Sequence, residues 1–156
     1  RLFFVKDPIE ITLTDKNLKI PEIFKTQVHP EDKSLGFRIW KLPKNKVKIF
    51  IEKEDYELAI KNKNCIRLKD FADIEIKNEE ASIISFEPGE KLPIIHWVEE
   101  NNSINASLEK VSENNLVLFK GKIEKSIKLN HKDIIQLERI GYSIVENENK
   151  YIFLHD

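Results

Sequence analysis

A chain of 156 residues with 26 Lys plus Arg against 27 Asp plus Glu, net charge −1, has room for one ordinary domain or two very small ones and is no histone-like polycation. Its 34% charged and 40% apolar residues exclude a disordered acid–base mixture. A lone Cys65 excludes an internal disulfide and a Cys-based zinc site and fits a reducing compartment, and no apolar run approaches the roughly 18 residues of a membrane span.

Along the chain the dominant signal is short runs of alternating apolar and polar residues, the period-2 mark of half-buried strands. Ile9-Glu10-Ile11-Thr12-Leu13 predicts a strand over 9–13, separated by Asp7-Pro8 from an apolar segment before it. Residues 29–36, from His29-Pro30 to Gly36, read as a loop. Strands are expected over 37–42 and 47–51, with a turn at 42–45 between them. Residues 54–61 predict the one helix, from good helix formers with acids in the first turn and Lys at the end. It is about two turns long, so tertiary packing must hold it. Further strands are expected over 66–69, 74–77, 82–86, 93–98, 106–111, 116–120, 134–139, 142–145 and 151–154. Polar turns separate them at 87–90, 101–103 and 113–115, residues 130–133 read as loop, and 147–149 close a hairpin. Roughly a dozen short, β-branched and aromatic strands indicate an all-β sandwich or barrel.

Catalytic signatures are missing. The four glycines at 36, 89, 121 and 141 are too scattered for a phosphate cradle. His29, His96, His131 and His155 share no metal-ligand spacing. His96 lies in the apolar run Ile94-Ile95-His96-Trp97-Val98, which reads as a histidine packed or hydrogen-bonded beside a core Trp. Cys65 sits in a strand pattern and reads as a small hydrophobe. A small hydrolase using Cys65 or His96 is the minor alternative. The basic residues carry more: Arg67 and Lys69 share a strand face, as do Lys46 and Lys48, and Lys120, Lys122, Lys125, Lys128 and Lys132 form a loose run. Such stripes suit a surface that tracks an RNA backbone. They equally suit the wet face of half-buried strands, as in a protein-interaction β-barrel.

Six motifs in order bear on that choice. Arg1-Leu2-Phe3-Phe4-Val5-Lys6-Asp7-Pro8-Ile9 opens the chain, and His29-Pro30 is followed by Gly36-Phe37-Arg38. Then come Ile51-Glu52-Lys53-Glu54-Asp55-Tyr56 and Ile66-Arg67-Leu68-Lys69-Asp70. Pro93-Ile94-Ile95-His96-Trp97-Val98 follows, and last Ile135-Gln136-Leu137-Glu138-Arg139-Ile140-Gly141-Tyr142. Each is weak alone. Together, in this order, they resemble the anticodon-binding β-barrel region of class I glutamyl- and glutaminyl-tRNA synthetases across nearly the whole chain.

The resemblance implies an all-β fold of two small packed β-barrels with one short helix, the chain starting in the barrel proximal to a catalytic domain, visiting the distal one and returning. It makes residues 1–156 an anticodon-binding region from the C-terminal part of a longer synthetase, which agrees with the absence of Met and the start at Arg1. The family's ATP-binding signatures are absent from the sequence, so ATP and Mg are expected in an upstream catalytic domain and no cofactor in this chain. The implied partners are tRNA(Glu) and that upstream domain, with neither membrane nor DNA, in the cytoplasm. The short link over residues 59–64 resembles archaeal-type glutamyl enzymes more than the longer glutaminyl form, with the glutaminyl enzyme as the alternative.

By motif position, Arg1, Gln136 and Arg139 match residues around the central U of the anticodon. A uracil edge offers two carbonyl acceptors and one N–H donor, which two Arg and one Gln can complement. Gln136 and Arg139 have opposite strand parity, so a bulge or strand end must aim both at one base. Arg67 and Lys69 match positions near the first anticodon base or its phosphate. Lys69, a point charge and not a planar fork, suits the phosphate. The near-zero net charge then requires segregation: Arg1, Arg67, Lys69 and Arg139 on one face, with the acids elsewhere.

Overall fold

The computed structural model describes residues 1–16, 18–44, 46–89, 91–125 and 129–156. Asn45, Glu90 and Lys128, which belong to two expected turns and the loose basic run, lie outside the described residues.

The alternating runs form strands nearly throughout. In chain order these are β1 (Phe4–Lys6), β2 (Pro8–Thr14), β3 (Ile23–Gln27), β4 (Phe37–Lys41), β5 (Val47–Glu52), helix α1 (Lys53–Lys61), β6 (Cys65–Leu68), β7 (Ala72–Lys77), β8 (Glu80–Ser85), β9 (Ile94–Ile95) and β10 (Val98–Glu99). Then follow β11 (Ser103–Ser112), β12 (Asn115–Glu124), β13 (Ile134–Leu137), β14 (Gly141–Asn147) and β15 (Lys150–His155). Three expectations need correction. β3 was not foreseen, because Phe24 is its one fully buried apolar residue. The strand expected over 93–98 is two short strands flanking His96-Trp97. The strand expected over 134–139 ends at Leu137, and residues 138–140 turn the chain into β14.

Among the described residues the strands form three sheets. The first runs β1-β12-β11-β15-β14-β13, the second β10-β5-β2-β8-β7-β6-β9, and the third is the β3–β4 hairpin. The first sheet curls until its ends meet: Leu2, just before β1, bridges Leu137 of β13, with Leu2 N donating to the Gln136 carbonyl and Glu138 N to the Leu2 carbonyl, both at 2.8 Å. The second is closed by the segment 94–99, which pairs with β6 through β9 and with β5 through β10. The chain thus begins in the first sheet, builds the second, and returns to complete the first.

Each of the two larger sheets wraps its own apolar cluster, and β1 lies between the two. Phe4 joins the first cluster, while Phe3 and Val5 join the second. Strand alternation thus buries both faces of β1. Where β1 meets β12, a Cβ on Gly121 would stand 2.1 Å from the Val5 carbonyl oxygen, so only glycine allows this approach. The β11–β12 hairpin turns on Glu113 and Asn114, both with positive φ (49° and 65°), which matches the strand twist. The β3–β4 hairpin docks on the second cluster through aromatic rings. Trp97 stacks on Phe71 with centroids 5.1 Å apart and meets Trp40 edge-on at 4.9 Å and Phe24 at 5.0 Å.

Candidate nucleic-acid interface

The five residues expected to contact RNA do not form one cluster. Three converge, Arg1 and Gln136 in contact and Lys69 through Glu138. Arg1 Nε donates to Gln136 Oε1 at 3.0 Å. Glu138, just past β13, pairs with the Lys69 ammonium on one carboxylate oxygen and lies 4.0 Å from the Arg1 guanidinium on the other. Arg1 and Lys69, far apart in sequence, therefore share one acid. Burial opposes the charged form of the Glu138 carboxyl. The Lys69 hydrogen bond and charge, with the Arg1 charge, outweigh it and hold the carboxyl below its ordinary value.

Arg1, Lys69 and Glu138 border a cleft of about 280 Å3, which Thr26, Gln27, Pro30 and Arg38 complete; Gln136 is not in its lining and reaches it through Arg1. It is just below the size of pockets for drug-like molecules and suits one planar group. Its floor is rigid. Arg38 of β4, buried, makes a bidentate pair with the buried Glu124 of β12 and donates from Nη2 to the Arg1 carbonyl at 2.9 Å. Glu124 also accepts from Phe3 N at 3.0 Å. One buried ion pair between the β3–β4 hairpin and the first sheet thereby holds the backbone of Arg1 and Phe3. On the opposite side, Trp97 Nε1 donates to the Lys69 carbonyl at 3.1 Å.

Arg139 is placed differently. Its left-handed backbone (φ 65°) just beyond the end of β13 supplies the strand end that its parity required. That backbone sends the guanidinium toward α1 and not toward Gln136. Two hydrogen bonds of 2.8 and 3.0 Å join it to the Asp55 carboxylate. These bonds, stronger than the opposing effect of burial, raise the Arg139 pKa above its ordinary value. His96, buried, sits behind it. Its Nδ1 is 2.9 Å from Arg139 Nη1, and its Nε2 is 2.8 Å from both the Phe4 carbonyl and Glu52 Oε2. Arginine offers only donors, so Nδ1 accepts and the ring proton is on Nε2. Both ring nitrogens are engaged, so His96 is a packed, hydrogen-bonded residue as its sequence context implied, and the geometry gives no support to a hydrolase built on it.

The strand expected over 66–69 ends at Leu68, so Arg67 lies in β6 while Lys69 begins the turn after it, and the two take different partners. Arg67 pairs with Asp73 at 2.8 Å and donates to the Phe86 carbonyl at 3.1 Å. Two of the five lysines in the loose basic run are engaged as well: Lys122 lies over the Phe50 ring at 4.9 Å and Lys125 donates to the Asn101 carbonyl at 2.8 Å. Lys46 and Lys48 are exposed.

The expectation of segregated charge is therefore corrected. Each of the four cations carries an acid: Glu138 for Arg1 and Lys69, Asp73 for Arg67, Asp55 for Arg139. The acids hold the guanidinium and ammonium groups in place and reduce the net positive field. Residue-type reasoning missed Glu138, Arg38, Glu124 and Asp55. Arg38, Asp55 and Glu138 stand inside the quoted motifs, and Glu124 had no signal.

Comparison with known proteins adds an independent line. A family model described as tRNA synthetases class I (E and Q), anti-codon binding domain, matches residues 1–88, and a second of that description matches residues 94–146. The boundary falls between β8 and β9, whereas β1, in the first match, pairs with β12 in the second. The glutamate–tRNA ligases of Pyrococcus furiosus and Pyrococcus horikoshii are each 31% identical to this chain, covering 91% of it and 25% of their own length. That of Thermococcus kodakarensis is 29% identical over 94% of the chain and 26% of its own length. The chain thus spans about a quarter of the length of these relatives.

Proposed function

Since this chain belongs to the anticodon-binding domain family of class I (E and Q) tRNA synthetases, we propose that it reads the anticodon loop of tRNA(Glu) on behalf of a glutamate–tRNA ligase. The observation that carries this reading is the Arg1–Gln136 hydrogen bond beside the Glu138–Lys69 pair. It sets a guanidinium fork and a carboxamide, the two groups that complement a uracil edge, next to a cleft sized for one base. Lys69 at the rim would neutralise a neighbouring phosphate. Arg139, half-exposed, would present its free edge to the same loop. The names of the relatives favour glutamyl over glutaminyl.

Glutamylation itself, with its ATP and Mg, would take place in an upstream catalytic domain, and the cytoplasm is the compartment that goes with this role. No helix among the described residues is long and apolar enough to cross a membrane.

The test is a titration of the chain with anticodon stem-loops of tRNA(Glu) and tRNA(Gln). Gln136→Ala is expected to weaken tRNA(Glu) binding by about 1–3 kcal/mol, the scale of one specific base contact. Equal binding by wild type and variant would remove Gln136 from the site. No shift of any tRNA at low salt would favour a protein-interaction barrel.

A further inference from the structure

We propose that Tyr142 and His155 form a stacking platform for an unpaired base adjacent to the one met by Arg1 and Gln136; this rests on the RNA-binding reading above. Tyr142 stands directly opposite Gln136 across β13 and β14, and His155 stands opposite Tyr142 across β14 and β15. Directly opposed residues of an antiparallel pair project from the same face with Cβ atoms about 4.5–5.5 Å apart. Arg1 bonds Gln136 from the other side. Four neighbouring chain segments thus place a guanidinium, a carboxamide, a phenol and an imidazole in one row on the outer face of the first sheet.

Two details go beyond a chance surface pair. The rings face each other, with centroids 5.0 Å apart and planes at 33°, while Tyr142 stays 38% exposed. The register also shifts between Tyr142 and Ser143: Ser143 pairs with Phe153, but Tyr142 pairs with His155. The residue passed over is Leu154. A bulge re-aims side chains, and here it sets an imidazole against Tyr142 where an unbroken ladder would set a leucine.

Stacking on aromatic faces suits every base. The platform therefore fixes where the neighbouring nucleotide lies and leaves base identity to Gln136 and Arg1. Tyr142 closes the last quoted motif, and the anticodon reading gives it no task of its own.

The experiment measures binding of the chain to the tRNA(Glu) anticodon stem-loop and to versions in which each loop nucleotide in turn is abasic. The proteins are wild type, Tyr142→Ala, Tyr142→Phe, His155→Ala and Gln136→Ala, each first checked for native circular dichroism. Tyr142→Ala is expected to bind about 5- to 100-fold more weakly and Tyr142→Phe like wild type. At one loop position, loss of the base should weaken wild type but leave Tyr142→Ala unaffected. If Tyr142→Ala binds like wild type while Gln136→Ala is weakened, the platform is overturned and the anticodon reading stands. If wild type binds no stem-loop, both fall.

Discussion

Arg139 and Asp55 meet through two hydrogen bonds, 2.8 and 3.0 Å long, that join the turn after β13 to the first turn of α1. Asp55 is only 2% exposed, so the guanidinium is the group that makes this buried carboxylate tolerable. A residue expected on sequence grounds to meet RNA therefore also holds the helix to the first sheet.

Arg139→Ala is accordingly expected to lower stability by about 2–4 kcal/mol, the cost of stranding a buried carboxylate, reduced because the guanidinium side chain is 44% exposed. Urea denaturation measures this. The double variant Arg139→Ala/Asp55→Asn should recover part of the loss, because no uncompensated charge remains. An unchanged midpoint for Arg139→Ala would show that the pair carries no stability.

Glu138 makes stability depend on pH. Its folded carboxyl is held below the ordinary 4.5, so the unfolded chain takes up the proton first as pH falls. The stabilisation is complete above 4.5 and disappears as pH drops through the lower, folded value. Glu138→Gln should therefore be less stable than wild type at neutral pH and nearly equal to it in acid well below 4.5. A difference that stayed constant across that range would rule out the carboxylate charge as its source.

Lys69 is expected to act on phosphate. Lys69→Ala should weaken RNA binding by a similar factor for every loop sequence and lower the slope of log affinity against log salt by about 1. Filter binding at several salt concentrations, with cognate and scrambled stem-loops, gives both numbers. A loss confined to one sequence would instead make Lys69 a base reader.

Gly121→Ala should loosen the β1–β12 contact. The added methyl would meet the Val5 carbonyl oxygen at 2.1 Å, a backbone atom that no rotamer change can move aside. A loss of about 1–3 kcal/mol in thermal or urea unfolding is expected from such overpacking, together with faster amide exchange in β1. Wild-type stability would mean that the two strands can separate freely.

Much of the fold could be read from local pattern. Val47-Lys48-Ile49 and Ile74-Glu75-Ile76 alternate because one face of each strand meets the core, and that periodicity needs no knowledge of the partner strand. β3 escaped notice because the apolar face of its hairpin is completed by Trp40 on β4 and by rings from the second sheet. The break at His96-Trp97 was invisible for a related reason: the run is apolar throughout, and only closure of the second sheet on both sides bends it in the middle.

By itself the sequence determined the class of fold, the family motifs and the residue types that could meet a base or a phosphate. Only the tertiary structure decided which charges stand together. Lys69 and Glu138 are 69 residues apart, Arg139 and Asp55 84, and Arg1 and Gln136 135. Alternation tells which face of a strand a side chain occupies, but its partner depends on register and on where the chain crosses between sheets. The near-zero net charge reappears in three dimensions as Arg1 and Lys69 sharing Glu138, Arg67 paired with Asp73 and Arg139 with Asp55.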